Sequence, residues 1–166
     1  IEHLEKAIDY ARQAGEWLVE AQLHSQVAQL AMQAQSPGRC EQHLLEAADL
    51  YEQNGATGLL AVARGALAEF YLQQSQLDKA SAEAGRALAA VEASGQPVPW
   101  EIYFVRQRIA EARGDESSTW RALTNEAYAH SPAAAAMVAR WTPLIDALVR
   151  RHTVRRWAWR QRAHWS

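Results

Sequence analysis

The chain has a single cysteine, Cys40, among 166 residues, and it has no run of about 18 apolar residues that could cross a membrane. One thiol excludes an internal disulfide framework and favours a reducing compartment, so we expect a cytoplasmic protein. Alternating runs rich in Val, Ile and Thr are also missing, which argues against a β-sheet. The fold class that these absences leave is all-helical.

The motifs of common enzyme families are missing too. The sequence contains no glycine-rich phosphate loop, no Gly-x-Ser-x-Gly and no His-Glu-x-x-His, and none of its six histidines pairs with a cysteine or a second histidine at ligand spacing. In "EQHLLE", His43 and Glu46 share one helix face, which we interpret as a solvated surface rather than a site. Cys40 is interpreted as a buried packing residue. We therefore predict no enzyme activity, no catalytic residue, no metal site and no cofactor.

Alanine is abundant, with 34 copies in the chain. Small side chains bury little apolar area each but allow helices to approach closely, and Ala, Leu, Gln, Glu and Arg are the strongest helix formers. This composition predicts closely packed helices rather than one deep core of large side chains.

A period of 40 residues organises the sequence. Alanines recur in this register at Ala7, Ala47, Ala87 and Ala127, and glycines recur at Gly15, Gly55 and Gly95. Because the chain has only eight glycines, a shared register with the alanines indicates a repeat of two helices per period. The predicted helices are 2–13, 17–34, 39–54, 58–74, 77–94, 99–113, 117–130 and 133–151.

The ends of these helices have recognisable signals. Glycines follow several of them, where a left-handed residue is favoured. Ser36-Pro37 and Ser131-Pro132 each place a capping serine before a proline in the first helical turn, so both serines are predicted N-caps.

Large and small residues within one period follow a known pattern. They are Leu67, Ala68 and Tyr71 in the first helix and Ala80, Ala84 and Ala87 in the second. This arrangement resembles the tetratricopeptide repeat, in the longer variety of about 40 residues found in bacterial signalling proteins. The chain departs from the family where His24 and Arg64 replace its tryptophan, and where Arg108 replaces a small residue before a one-residue register shift at Gly114. A HEAT-type array is the alternative architecture.

The resemblance implies a right-handed α-solenoid of helix-turn-helix repeats. Residues 1–131 would be the repeat array, beginning in mid-repeat, and residues 132–166 a C-terminal capping helix with a basic, Trp-rich tail. Because Ile1 lies inside a helical pattern, we expect the chain to be part of a larger regulatory or signalling protein.

The resemblance also implies a function as a protein–protein interaction scaffold, which binds a peptide or partner domain on the concave face of its first helices. The family's groove places fall on Gln22, Ser25, Gln29, Met32, Gln33, Val62, Glu69, Leu72 and Gln73. Ordinary exposed helix residues are the alternative interpretation. Chaperone tails are not expected as partners, because Ser25, Gln29 and Ala66 stand where lysines and asparagines would hold a terminal carboxylate.

The C-terminal segment differs from the rest in charge. Residues 150–166 carry six arginines and no acid (+6), whereas residues 1–149 carry 11 basic and 19 acidic groups (−8). The predicted contact residues are Arg155, Arg156, Trp157, Trp159 and Arg160. We favour capping of the array, or docking onto a neighbouring domain or a second copy, over an acidic partner, and we consider nucleic acid and membrane surfaces last.

Overall fold

A computed structural model describes residues 1–137 and 139–140 of the chain. This part contains seven complete helices and no strand: α1 (Glu2–Ala14), α2 (Trp17–Gln33), α3 (Pro37–Gln53), α4 (Thr57–Gln73), α5 (Leu77–Ser94), α6 (Trp100–Arg113) and α7 (Ser118–Ala129). Residues 132–137 and 139–140 are helical as well. The predicted all-helical class is confirmed, and the bounds of these seven helices agree with the prediction within two residues.

Helices that follow one another in the chain pack against each other from α1 to α6, and α4 also packs against α6. We call α2–α3 the first pair and α4–α5 the second pair. Fully buried alanines occupy the contacts within both, among them Ala28 and Ala47 in the first pair and Ala68 and Ala84 in the second. Small side chains at a helix crossing allow the backbones to approach closely, and larger residues such as Leu67 fill the space beside them.

Most turns between these helices share one design, in which a left-handed residue ends the helix. The residues with positive φ are Gly15, Gln35, Gly55, Ser75, Gly95 and Gly114. After five of them the next backbone N–H donates to the carbonyl five residues earlier at 2.9 Å, as Ala56 does to Tyr51, closing a Schellman motif. Gly114 stands one residue earlier than the period requires, which confirms the predicted register shift.

The two predicted serine caps behave differently. The Ser131 hydroxyl accepts a hydrogen bond from the Ala134 N–H at 3.1 Å, which confirms that cap. Ser36 is the N-cap residue of α3, but its side chain makes no capping hydrogen bond, so that part of the prediction is wrong. The reason is that Ser36 also closes α2 through its own N–H to Ala31, so its backbone geometry is set by that turn.

The chain divides into two compact units, Ile1–Asn125 and Glu126–Ser166. In the second unit the Tyr128 hydroxyl lies 3.7 Å from the Met137 sulfur, and Ser131 caps the helix that follows it. The predicted boundary between residues 131 and 132 stays a prediction. Among the described residues, no helix combines the length and apolar composition that crossing a bilayer requires.

Candidate functional site

The predicted groove residues lie on α2 and α4, the first helices of the two pairs. Five of them are exposed, namely Gln22, Gln29, Gln33, Val62 and Gln73, and four are half-buried, namely Ser25, Met32, Glu69 and Leu72. Val62 is the most prominent apolar member, with 59% of its surface exposed. All nine side chains therefore retain some access to solvent, while their role in binding stays a prediction.

A cavity of about 400 Å³ brings two of these residues together. It lies where the turn between α2 and α3 meets the C-terminal end of α4, and its walls are Met32, Gln35, Ser36, Pro37, Phe70, Gln73 and Gln74. Met32 and Phe70 supply apolar surface, and the glutamines supply amide donors and acceptors. Met32 of the first pair and Gln73 of the second pair thus share one recess.

Glu69 is engaged within the chain. Its Oε1 accepts hydrogen bonds from Arg108 Nη1 at 2.5 Å and from Gln73 Nε2 at 3.1 Å. The Arg108 guanidinium also lies 5.8 Å from the ring centroid of Phe104, which is 40% exposed. Sequence reasoning noted Arg108 only as a departure from the family pattern. Because of the register shift, Arg108 stands 39 residues after Glu69. The opposite charges of these two residues were the signal from which their contact could have been predicted.

The predicted tail residues Arg155, Arg156, Trp157, Trp159 and Arg160 lie outside the described residues. The proposals that rest on them therefore stay predictions.

A second group of polar side chains meets between α2 and α3 of the first pair. His24 of α2 and His43 of α3 are 1% and 7% exposed, and their Nδ1 atoms lie 2.8 Å apart. Glu46, one turn after His43, places Oε2 3.1 Å from His24 Nε2. We call His24, His43 and Glu46 the histidine cluster; one ligand atom from each lies within 4.8 Å of the others.

The histidine cluster overturns the interpretation of His43 as part of a solvated helix surface. The error arose because the pattern 41–46 was considered on one helix alone, whereas His43 faces a histidine 19 residues earlier in the chain. A signal was available in the repeat: positions 24 and 43 correspond to Arg64 and Glu83, whose opposite charges predict a contact across the pair.

Charged residues surround the histidine cluster. Glu20 Oε1 lies 3.9 Å from His24 Nε2, and Arg12 Nε donates to that same oxygen at 2.8 Å. On the other side, Glu5 Oε1 lies 3.8 Å from His43 Nε2 and 3.6 Å from Arg39 Nε. The two rings are therefore flanked by carboxylates, each held by its own arginine.

Burial lowers the pKa of His24 below its ordinary value, and its neighbour His43 acts in the same direction, against the attraction of Glu46 and Glu20. Near neutral pH the His24 ring is neutral. In the Nδ1···Nδ1 contact one ring must donate and the other accept. His24 Nε2 is buried and has no hydrogen-bond partner among the described residues, although Glu46 Oε2 lies 3.1 Å away.

The same place in the second pair holds an ion pair. Arg64 Nη1 donates to Glu83 Oε2 at 2.8 Å, and Arg64 Nη2 donates to Glu52 Oε2 at 2.7 Å. Burial acts to lower the pKa of Arg64, but the hydrogen bonds and the charges of Glu83 and Glu52 outweigh it and raise that pKa. Glu83 also accepts a hydrogen bond from Arg86 at 2.6 Å.

No protein family model, curated protein or solved structure matches this chain. The side chains themselves limit its chemistry. Cys40 is fully buried, as predicted, and burial raises the pKa of its thiol, which makes it a poor nucleophile. The two imidazoles and the carboxylate of the histidine cluster are groups that hold a transition metal.

Proposed function

We propose that this chain is a tetratricopeptide-type, right-handed solenoid that serves as a protein–protein interaction scaffold within a larger cytoplasmic regulatory protein. Three features support the proposal: the 40-residue offset between the first and second pairs, the buried alanines at their crossings, and the recurring left-handed turns. Repeated helix pairs present a row of first helices side by side, a surface suited to an extended ligand.

The observation that carries the proposed binding site is the recess between Met32 and Gln73. Its apolar floor can take one side chain of a partner, while the exposed glutamines can pair with the amides of an extended peptide backbone. The Glu69 carboxylate already pairs with Arg108, so it does not require a basic partner. The preferred ligand is therefore an uncharged, extended segment with one apolar anchor.

The test is selection from a random-peptide display library on the whole chain, followed by affinity measurement with variants. Gln29→Arg and Gln73→Arg place a bulky charge on the proposed site, and each should weaken a selected peptide by about tenfold or more. Gln13→Arg and Gln53→Arg make the same change at exposed positions of α1 and α3 and serve as matched controls. Selected peptides that bind all four variants equally well would refute the assignment of this face.

A further inference from the structure

The buried nitrogen of His24 needs an explanation. Its side chain is almost fully excluded from water, yet Nε2 has no hydrogen-bond partner in the described part of the chain. A buried polar atom left unpaired costs about 1–3 kcal/mol, so proteins seldom keep one without a function. Glu46 Oε2 lies 3.1 Å from this nitrogen, close to the separation of two ligands on one tetrahedral metal ion.

The histidine cluster has the composition of a metal site. Two imidazoles and one carboxylate are a ligand set that Zn²⁺ uses in proteins, with water in the fourth position. His43 and Glu46 are three residues apart on α3 and therefore share one face, and His24 meets them from α2. Two ligands of a tetrahedral Zn²⁺ stand about 3.3 Å apart, so His24 Nε2 and Glu46 Oε2, at 3.1 Å, need little movement. The His43 ring contacts the opposite nitrogen of His24 and must turn toward Nε2 to complete the set.

The electrostatic surroundings favour a cation. The three carboxylates of Glu5, Glu20 and Glu46 face the two rings, and the guanidiniums of Arg12 and Arg39 offset two of them, which leaves a net charge of −1 (three minus two). Glu20 is held by Arg12 and lies 3.9 Å from His24 Nε2, so its carboxylate adds negative charge beside the proposed ion.

We propose that His24, His43 and Glu46 bind one divalent transition-metal ion, Zn²⁺ by the chemistry of the set, and that this ion joins α2 to α3. Binding breaks the Nδ1···Nδ1 contact, and each neutral ring keeps its one proton on the nitrogen that does not face the ion while the other nitrogen offers its lone pair to the metal. The ion stabilises the first pair without taking part in a reaction. This site is independent of the proposed peptide recess.

In the second pair, the same position is occupied by residues that are not a metal-ligand set. Arg64 and Glu83 satisfy one another directly, with Glu52 and Arg86 as further partners. The corresponding residues in and before the first pair are Arg12, His24, His43 and Glu46. An exchange of these four residues for their second-pair counterparts therefore gives a variant that lacks the metal ligands but has a contact known to fit this backbone.

The experiment is calorimetric titration of the whole chain with Zn²⁺ after removal of metal by EDTA, together with Co²⁺ absorption spectra. We expect one Zn²⁺ per chain and a visible Co²⁺ band typical of a tetrahedral nitrogen–oxygen site. Zn²⁺ at 100 times its dissociation constant should raise the melting temperature by about 5–10 °C.

The variants separate ligand loss from unfolding. Glu46 is partly exposed, so E46Q should fold normally and bind Zn²⁺ about tenfold or more weakly. The exchange variant R12E/H24R/H43E/E46R should stay helical and lose the Co²⁺ band. His3 and His130 are exposed, and H3Q and H130Q should bind like the parent chain. Absence of stoichiometric binding in the parent chain would overturn the proposal. Zn²⁺ binding by E46Q and by the exchange variant that is as tight as binding by the parent chain would overturn it too.

Discussion

The first and second pairs place different chemistry at one position of the repeat. In the first pair His24 meets His43 as two buried rings, and in the second pair Arg64 meets Glu83 as a direct ion pair. The flanking charges are also reversed: Arg12 and Glu46 near the histidines correspond to Glu52 and Arg86 in the second pair. The backbone accepts either arrangement, so the same position holds two polar contacts of different chemistry.

The largest effect should come from breaking the ion pair of the second pair. Glu83→Ala leaves the Arg64 guanidinium, only 12% exposed, without its buried partner, and should lower the free energy of unfolding by about 3–5 kcal/mol. Urea denaturation measures this loss. Asp78→Ala removes a fully exposed partner of Arg113 and should leave the midpoint nearly unchanged. Similar small shifts in both variants would mean that the buried pair contributes no more than a surface pair.

The next largest loss of stability should come from truncating the matched core position of the two pairs. Leu67 is fully buried in the second pair, and Val27 is fully buried at the equivalent place in the first. Leu67→Ala should cost about 2–5 kcal/mol. Val27→Ala should cost roughly two-thirds of that, because it deletes two carbons instead of three. The comparison requires both variants under the same urea conditions, and a larger loss for Val27 would contradict it.

The pH dependence of stability should also separate the two pairs. The pKa of His24 is lowered in the folded chain by burial, so the unfolded chain takes up the proton more readily. In EDTA, its contribution to stability is complete above about pH 6.5 and is lost as the pH falls below that value, by at most about 1.4 kcal/mol per pH unit.

Urea titrations at pH 7.5 and pH 5.5 measure this loss. The exchange variant, with an arginine–glutamate contact in the first pair, should lose less stability over the same interval. An equal loss in both proteins would show that other groups are responsible.

The smallest expected effect concerns two left-handed turn residues, Ser75 in the turn within the second pair and Gly55 in the turn between the two pairs. Ser75 has φ 58°, a left-handed conformation that costs a side-chain-bearing residue about 1–2 kcal/mol. Ser75→Gly removes this strain but increases the freedom of the unfolded chain, so a net gain of about 0.5–1 kcal/mol is expected. Gly55→Ala, at φ 67°, should show the opposite sign. A thermal melt resolves both, and a loss for Ser75→Gly would contradict the expectation.

Much of the fold could be predicted because it depends on local patterns. Helix propensity, the glycine ends and the 40-residue period located seven helices within two residues of their observed bounds. Ser36 was harder because its backbone belongs to two helices at once. The histidine cluster was missed because its contact joins two helices, and only comparison of positions 24 and 43 with 64 and 83 would have found it. Glu69 was placed on the correct helix, but its pairing with Arg108 depended on the register shift.

Cys40 gives the first pair a built-in reporter of its motion. The thiol is fully buried beside α2 and has a raised pKa, so a labelling reagent can reach it only when α2 and α3 separate. The rate of labelling in the native state therefore measures how often this one contact opens, apart from global unfolding. Because the chain has no second cysteine, all thiol labelling reports the opening of this one helix pair.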